Sequence, residues 1–479
     1  MDVTVVGSGP NGLAAAVICA RAGLSVQVFE AQPTLGGGAR TLADPEFGEV
    51  SHDICSAVHP LALASPFLAE FDLPARGVTL KVPPVSYANP LPGRATAVGY
   101  HDLDRTCAEL LHGESWRRLL GPLIDREERV GGVVNFLLGD KRSIPRDPIA
   151  AAFIARNMLE QGTPLWGKLA GEDARALFTG VAAHAINRMP SFVTTGAGLM
   201  LATLAHTVGW AIPVGGSQAI PDALIADLRT HGGTVTAGEE ITEPPSGVVL
   251  FDTAPTALLS IYRDKVPTRY AKALQRYRFG PGVGKVDFVL SDEIPWTDPR
   301  AADAPTLHMG GSREQMALAE SEIAAGRHAD WPMVLAALPH LADPNRVDAQ
   351  GRRPLWTYAH VPHGSTVDQA EAVTRVFERF APDFRDVVVA VRSVPASQLS
   401  DHNANLVGGD IGVGGNTLMH ALTGPTPRLN PWSTPIPKVY LCSSATPPGG
   451  GVHGMAGLYA ARTMLRREFG IRQLPSLSP

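Results

Sequence analysis

The first forty residues restrict this chain more than any other stretch. An apolar run, Val3-Thr4-Val5-Val6, predicts a buried strand. Gly7-Ser8-Gly9-Pro10-Asn11-Gly12 follows at once, and an Ala-rich helix continues to about Ala22. After a turn at Gly23, a second strand over residues 25–29 closes on Glu30, eighteen residues past Gly12. A lone G-x-G-x-x-G is weak evidence. Set between a strand and a helix, with an acid ending the next strand, it predicts a dinucleotide site. Gly7 allows the tight turn, Gly9 lets backbone approach a pyrophosphate, and Gly12 lets the helix lie close to the strand. Pro10 and Asn11 open the helix, where free N–H groups and the dipole favour phosphate. Glu30 is expected to accept hydrogen bonds from an adenosine ribose. The bland alternative is a glycine turn in an ordinary βαβ unit.

The next residues narrow the cofactor. Leu35-Gly36-Gly37-Gly38-Ala39-Arg40-Thr41 is a second glycine cluster. Gly37 and Gly38 without side chains, plus the Arg40 guanidinium, suit a second approach to a pyrophosphate or flavin. Here the chain resembles flavoproteins of the amine oxidase and phytoene desaturase superfamily, in which a G-G-x-x-R-T segment follows the first βαβ unit. The resemblance implies FAD rather than a nicotinamide.

Length and charge set bounds. At 479 residues two intertwined domains are expected. A formal charge of −5 gives no electrostatic case for nucleic acid. Cys19, Cys55, Cys107 and Cys442 form no C-x-x-C, which argues against a disulfide reductase and a zinc site. No metal is expected. The first strand starts so early that no cleavable signal is expected, and residues 196–214 read as a buried helix, so a cytoplasmic protein is anticipated.

Along the chain, residues 47–59, with His52 and Asp53, read as a loop beside the flavin, and a short helix spans 65–71. Residues 78–84 read as an edge strand leading into a second domain. Apolar spacing predicts helices over 103–111, 116–138, 149–159 and 172–186. Arg142, Arg146 and Arg156 flank Ile144, Ile149, Phe153 and Ile154, with breakers at Pro145 and Pro148. That surface is either a packed lid helix with solvated arginines or one that touches lipid or admits an apolar substrate. His184 reads as a core histidine. Residues 212–220 resemble the superfamily's P-x-G-G helix start. A helix over 222–228 and a strand over 234–236 follow, and only residues 242–247 then separate Ile241 from the strand ending in Asp252-Thr253-Ala254-Pro255, a spacer too short for the family's usual hairpin layer.

A second excursion covers about 261–394. Its glycine run at 280–284 precedes a strand, so it is no second nucleotide site. Lys285 on that strand matches the position of the lysine that holds a water near flavin N5 in amine oxidases; a surface-facing lysine is the alternative. At the far end, Pro447-Pro448-Gly449-Gly450-Gly451-Val452-His453-Gly454-Met455 joins a buried strand to a helix. This closely resembles the C-terminal motif of phytoene desaturases. Three glycines before a helix expose N–H groups to a partly anionic group; in the family that group is the flavin ring. The resemblance assigns Gly449, Gly450, Gly451, Val452 and Met455 to the cofactor.

The expected fold is α/β: a discontinuous Rossmann-type FAD-binding domain (1–75, 206–262, 396–479) with an α+β substrate domain inserted in two excursions (76–205, 263–395). The expected activity is hydride transfer from a hydrophobic substrate to noncovalent FAD, as in phytoene desaturases, with Lys285 and His453 as catalytic candidates. The absence of cysteine over 443–479 speaks against covalent flavin. The alternatives are a flavin amine oxidase and a non-catalytic lipid or prenyl-protein binding protein on the same fold. Peripheral membrane contact and the oligomeric state are left open.

Overall fold

The computed structural model describes residues 1–43, 47–140, 147–415, 417 and 423–479. Its strands form two main sheets. The first has five parallel strands in the order Val439–Leu441, Val248–Phe251, Val3–Val6, Val26–Glu30, Thr234–Ala237. Val3–Val6 lies centrally and is buried on both faces, which is why its apolar residues run without alternation. The chain continues from it to Val26–Glu30 on one side and returns much later as Val248–Phe251 on the other. The crevice at its carboxyl end, where Gly7 meets Asp252, is therefore a topological switch point, the usual ligand site of such sheets.

Helix Pro10–Arg21 is Ala-rich because it is wedged between helices Ala219–Thr230 and Met455–Glu468. A Cβ on Gly457 would stand 2.0 Å from the Asn11 carbonyl oxygen, so glycine there lets the C-terminal helix seat directly on the first one. The two ends of the chain are thus locked together at the dinucleotide motif.

The second sheet has seven strands: Val388–Val394, Gly282–Leu290, Arg353–Val361, Val334–Ala337, Thr306–His308, Val85–Asn89 and Ala97–Tyr100. All pairs are antiparallel except Thr306–His308 with Val85–Asn89. Side chains alternate between its faces. Val286, Phe288 and Leu355 pack on one side with Val373 and Phe377 of helix Ala370–Glu378. Val283, Leu335, Trp356 and Tyr358 point the other way, toward Trp116, Phe178 and Leu199 of a helical layer.

Several local expectations change. The helix expected over 116–138 is two helices, Gly113–Ile124 and Glu127–Leu138. Pro122 lacks an N–H and lies near the end of the first, and Arg126 is extended between them. The loop 47–59 contains strand Ser51–Asp53, paired antiparallel with Thr41–Ala43. The edge strand shrinks to Leu80–Lys81, paired with Ile212–Pro213. The buried helix expected over 196–214 is Phe192–Ala205, started by a Ser191–Thr194 capping box. No strand lies between Ala237 and Val248, as the short spacer suggested. Among the described residues no helix is long and apolar enough to cross a membrane. Arg142, Ile144, Pro145 and Arg146 lie outside the described residues.

Candidate functional site

A cavity of about 1270 Å³ opens at the switch point and extends to the second sheet and its helices. Ligand pockets usually occupy roughly 300–1,000 Å³, so this one has room for a dinucleotide and a second molecule. Gly7, Gly9, Pro10, Asn11, Glu30, Gly37, Gly38, Arg40, Gly449, Gly450, Gly451 and Val452 all stand on its wall. Gly12 and Met455 do not; Gly12 packs against the Gly7 carbonyl and Asp252, and Met455 lies in the core beneath.

Backbone proximity explains the glycines. A Cβ on Gly9 would lie 2.5 Å from Asp252 Oδ2, and one on Gly37 would lie 2.7 Å from Gly9 Cα. Ser8 ties the parts together. Its N–H and hydroxyl donate to Glu30 Oε2 at 2.9 and 2.8 Å, and its oxygen accepts the Gly36 N–H at 3.0 Å. The Gln32 N–H donates to Glu30 Oε1 at 2.9 Å. Glu30 is thereby held in one orientation at the cavity edge.

Arg40 departs from expectation. Its guanidinium donates to the Gly37 carbonyl (2.8 Å), the Thr34 hydroxyl (2.8 Å) and the His402 carbonyl (2.6 Å). It is buried, and burial lowers its pKa. Its fork shapes the second glycine cluster by gripping protein oxygens.

Both catalytic candidates are displaced from the wall. Lys285 is buried in an ion pair with Asp287, two residues along the same strand, and its ammonium lies 4.9 Å from the Trp356 ring centroid. Burial depresses its pKa, with Asp287 opposing. Trp356 lines the cavity; Lys285 stands behind it. His453 is also buried. Its Nδ1 accepts the Met455 N–H at 3.0 Å and its Nε2 reaches the Gly449 carbonyl at 3.2 Å. The preceding Gly454 offers no side chain to cap the last helix, so His453 does that work and braces the 449–451 turn.

Other residues reach the cavity unannounced by any motif. The Asp252 carboxylate accepts the Gly12 N–H at 2.9 Å, beneath the helix N-terminus. Burial raises its pKa to about 7; the Gly12 N–H opposes this and the Glu30 charge adds to it. His59 Nε2 meets the Ser217 hydroxyl at 2.7 Å, and burial lowers its pKa to about 4. Nearby, Asp53 accepts the Thr41 hydroxyl (2.6 Å) and Ser217 N–H (2.9 Å) and pairs with Arg346 (3.1 Å), tying the flanking loop to the 212–220 segment. His184, read from sequence as a core histidine, lines the cavity with Trp210 and Tyr358. The sequence reading missed Trp356 and Tyr358; strand alternation could have placed them on one face, but nothing local told which.

Comparison with known proteins agrees with this architecture. Residues 5–69 match the family described as an NAD(P)-binding Rossmann-like domain. A Mycobacterium tuberculosis protein titled only as uncharacterized is 26% identical, over 97% of this chain and 97% of its own. The pyridine nucleotide-disulfide oxidoreductase domain-containing protein 2 of Rattus norvegicus is 23% identical, over 97% of this chain and 93% of the rat protein. Among solved structures, putrescine oxidase bound to putrescine superposes with TM-score 0.59 at 18% identity, covering 97% of this chain and 98% of that one. Cyclohexylamine oxidase from Brevibacterium oxydans does so with TM-score 0.57 at 14%, covering 97% of each. The chain therefore carries a Rossmann-like domain within a fold shared with these amine oxidases.

Proposed function

We propose that the protein is an FAD-dependent oxidoreductase that dehydrogenates a hydrophobic substrate, in the manner of the phytoene desaturases its terminal motifs resemble. One observation carries the reading: glycines about 440 residues apart, Gly7 and Gly9 at one end and Gly449, Gly450 and Gly451 at the other, stand on the wall of one cavity. Noncovalent FAD fits the residues present. Gly9 packs against Asp252 and Gly37 against Gly9 too closely for any Cβ, which keeps bare backbone on the cavity wall, and Glu30 is held ready for a ribose. Gly7 to Asn11 would hold the pyrophosphate, and Gly449 to Val452 would border the ring. Bound there, the flavin supplies a hydride acceptor, the hard part of the chemistry. The protein's own share is to position and to exclude water. Trp210, Trp356, Tyr358, Phe192 and Met200 give the far end of the cavity an apolar lining suited to a hydrocarbon.

A second reading, amine oxidation, draws support from the likeness of fold to putrescine oxidase and cyclohexylamine oxidase. Anaerobic bleaching of the bound flavin against isoprenoid, lipid and amine donors decides between them. Bleaching by isoprenoids or lipids and not by amines is expected; bleaching by amines alone reverses the assignment, and protein that takes up no flavin defeats both.

A further inference from the structure

Two histidines meet at the aromatic end of the cavity. His184 lies in the turn that ends helix Glu172–Ala182, and His308 ends strand Thr306–His308. Their Nε2 atoms are 2.9 Å apart. Trp210 stands edge-on to both, with ring centroids at 5.6 and 5.8 Å. Gly180 makes the approach feasible, since a Cβ there would lie 2.8 Å from His308 Cβ. His308 is fully buried and its Nδ1 has no partner. His184 lines the cavity; with Nε2 taken by His308, Nδ1 is the ring nitrogen left to a ligand.

Burial lowers the pKa of His184 to about 3 and that of His308 well below its ordinary value, so both rings are neutral near pH 7. Two neutral imidazoles sharing one hydrogen bond need one donor and one acceptor. If His308 accepted, its stranded Nδ1 would be an N–H, the costlier group to leave unpaired. With His308 donating, the stranded atom is a lone pair, and His184 presents Nδ1–H to the cavity. Among the described residues, no free charge stands beside it on the sheet. His360 and Glu320 close on each other at 2.5 Å, and Lys285 pairs with Asp287. Asp410, on the cavity wall, accepts the N–H groups of Gly280, Gly412 and Gly414. An ammonium or carboxylate drawn in here would be desolvated without a counter-ion.

We infer that the substrate is an uncharged amphiphile whose hydroxyl or carbonyl oxygen accepts a hydrogen bond from His184 Nδ1, with His308 as the positioning residue that fixes the tautomer. This rests on reading the cavity as the substrate pocket of a flavin enzyme. The test is equilibrium binding of decanol, decane and decylamine to the FAD-loaded full chain and to His184→Phe. Wild type should prefer decanol over decane by about fivefold, the worth of one net hydrogen bond, and His184→Phe should lose that preference. Equal preference in the variant, or decylamine binding best, overturns the inference. Should His184→Phe fail to fold, histidine-selective nitrogen NMR of wild type decides: decanol, and not decane, must shift the His184 Nδ1 signal, and no shift overturns it. Protein that binds no flavin but retains the His184-dependent preference for decanol refutes the oxidoreductase reading and leaves the subsite standing.

Discussion

The two ends of the cavity are built from different materials. The switch-point end is backbone: glycines at 7, 9, 37 and 449–451, with acids Glu30 and Asp252 beside them. The far end is side chain: Trp210, Trp356, Tyr358 and the neutral His184, backed by His308. A Cβ on Gly7 or Gly37 would come within 2.8 Å of main chain, and Gly7, Gly37, Gly449 and Gly451 hold positive φ angles that side chains disfavour, so this wall tolerates little substitution. A wall of side chains can be repacked, and so can be fitted to another ligand. On the proposed function, the contrast separates a fixed cofactor end from an adjustable substrate end.

The largest effect is expected from breaking the junction of the chain's ends. Gly457→Val places carbon within 2.0 Å of the Asn11 carbonyl; purified protein should carry no flavin, while the second sheet keeps its strand signal in circular dichroism. Retained flavin would show that the ends need not meet so closely.

Asp252 comes next. Its pKa rises from 3.8 to about 7 on folding, so between those values the folded chain holds a proton that the unfolded chain has released. Stability attributable to this group therefore falls as pH rises through that window. Asp252→Asn should stabilise the chain above pH 8 by up to about 4 kcal/mol, read by denaturant unfolding at two pH values, and should tighten FAD binding most at high pH.

The histidines act with the opposite sign. His59, His184 and His402 fall from 6.5 to about 4, 3 and 4 through burial. Below pH 6.5 the unfolded chain takes up protons that the folded chain refuses, so stability is lost as pH falls from 6.5 toward 4. The melting temperature should peak between pH 6 and 7, and a profile still rising below pH 5 would contradict the neutral histidine wall.

Trp356→Leu tests the adjustable end with the smallest effect. It should weaken an apolar ligand by about tenfold and leave FAD affinity within about twofold, measured by flavin fluorescence titration. Equal losses in both would mean that the two ends are one site.

This contrast also governs what the sequence revealed. The glycine motifs were legible because their constraint is local: a strand, a turn and a helix start within a few residues of one another. The same logic identified the strand ending at Phe251 and the missing hairpin layer. Arg40 was identified as important, but which oxygens its fork would grip depended on His402, far along the chain. Lys285 and His453 were singled out by position in a motif; only packing revealed Asp287 beside one and a helix start above the other. His184 gave no signal, because its partner His308 is 124 residues away. The break at 125–126 was foreshadowed by Pro122, and a single periodic pattern masked it.

The central claim is that residues from both ends of the chain hold one noncovalent flavin. Flavin content per chain, read by absorbance after FAD reconstitution and again in the supernatant after acid precipitation, tests it most directly. The account predicts about one flavin per chain, fully released by acid, and none bound by Gly457→Val. Wild-type protein that takes up no flavin, or flavin that stays with the precipitate, would contradict it.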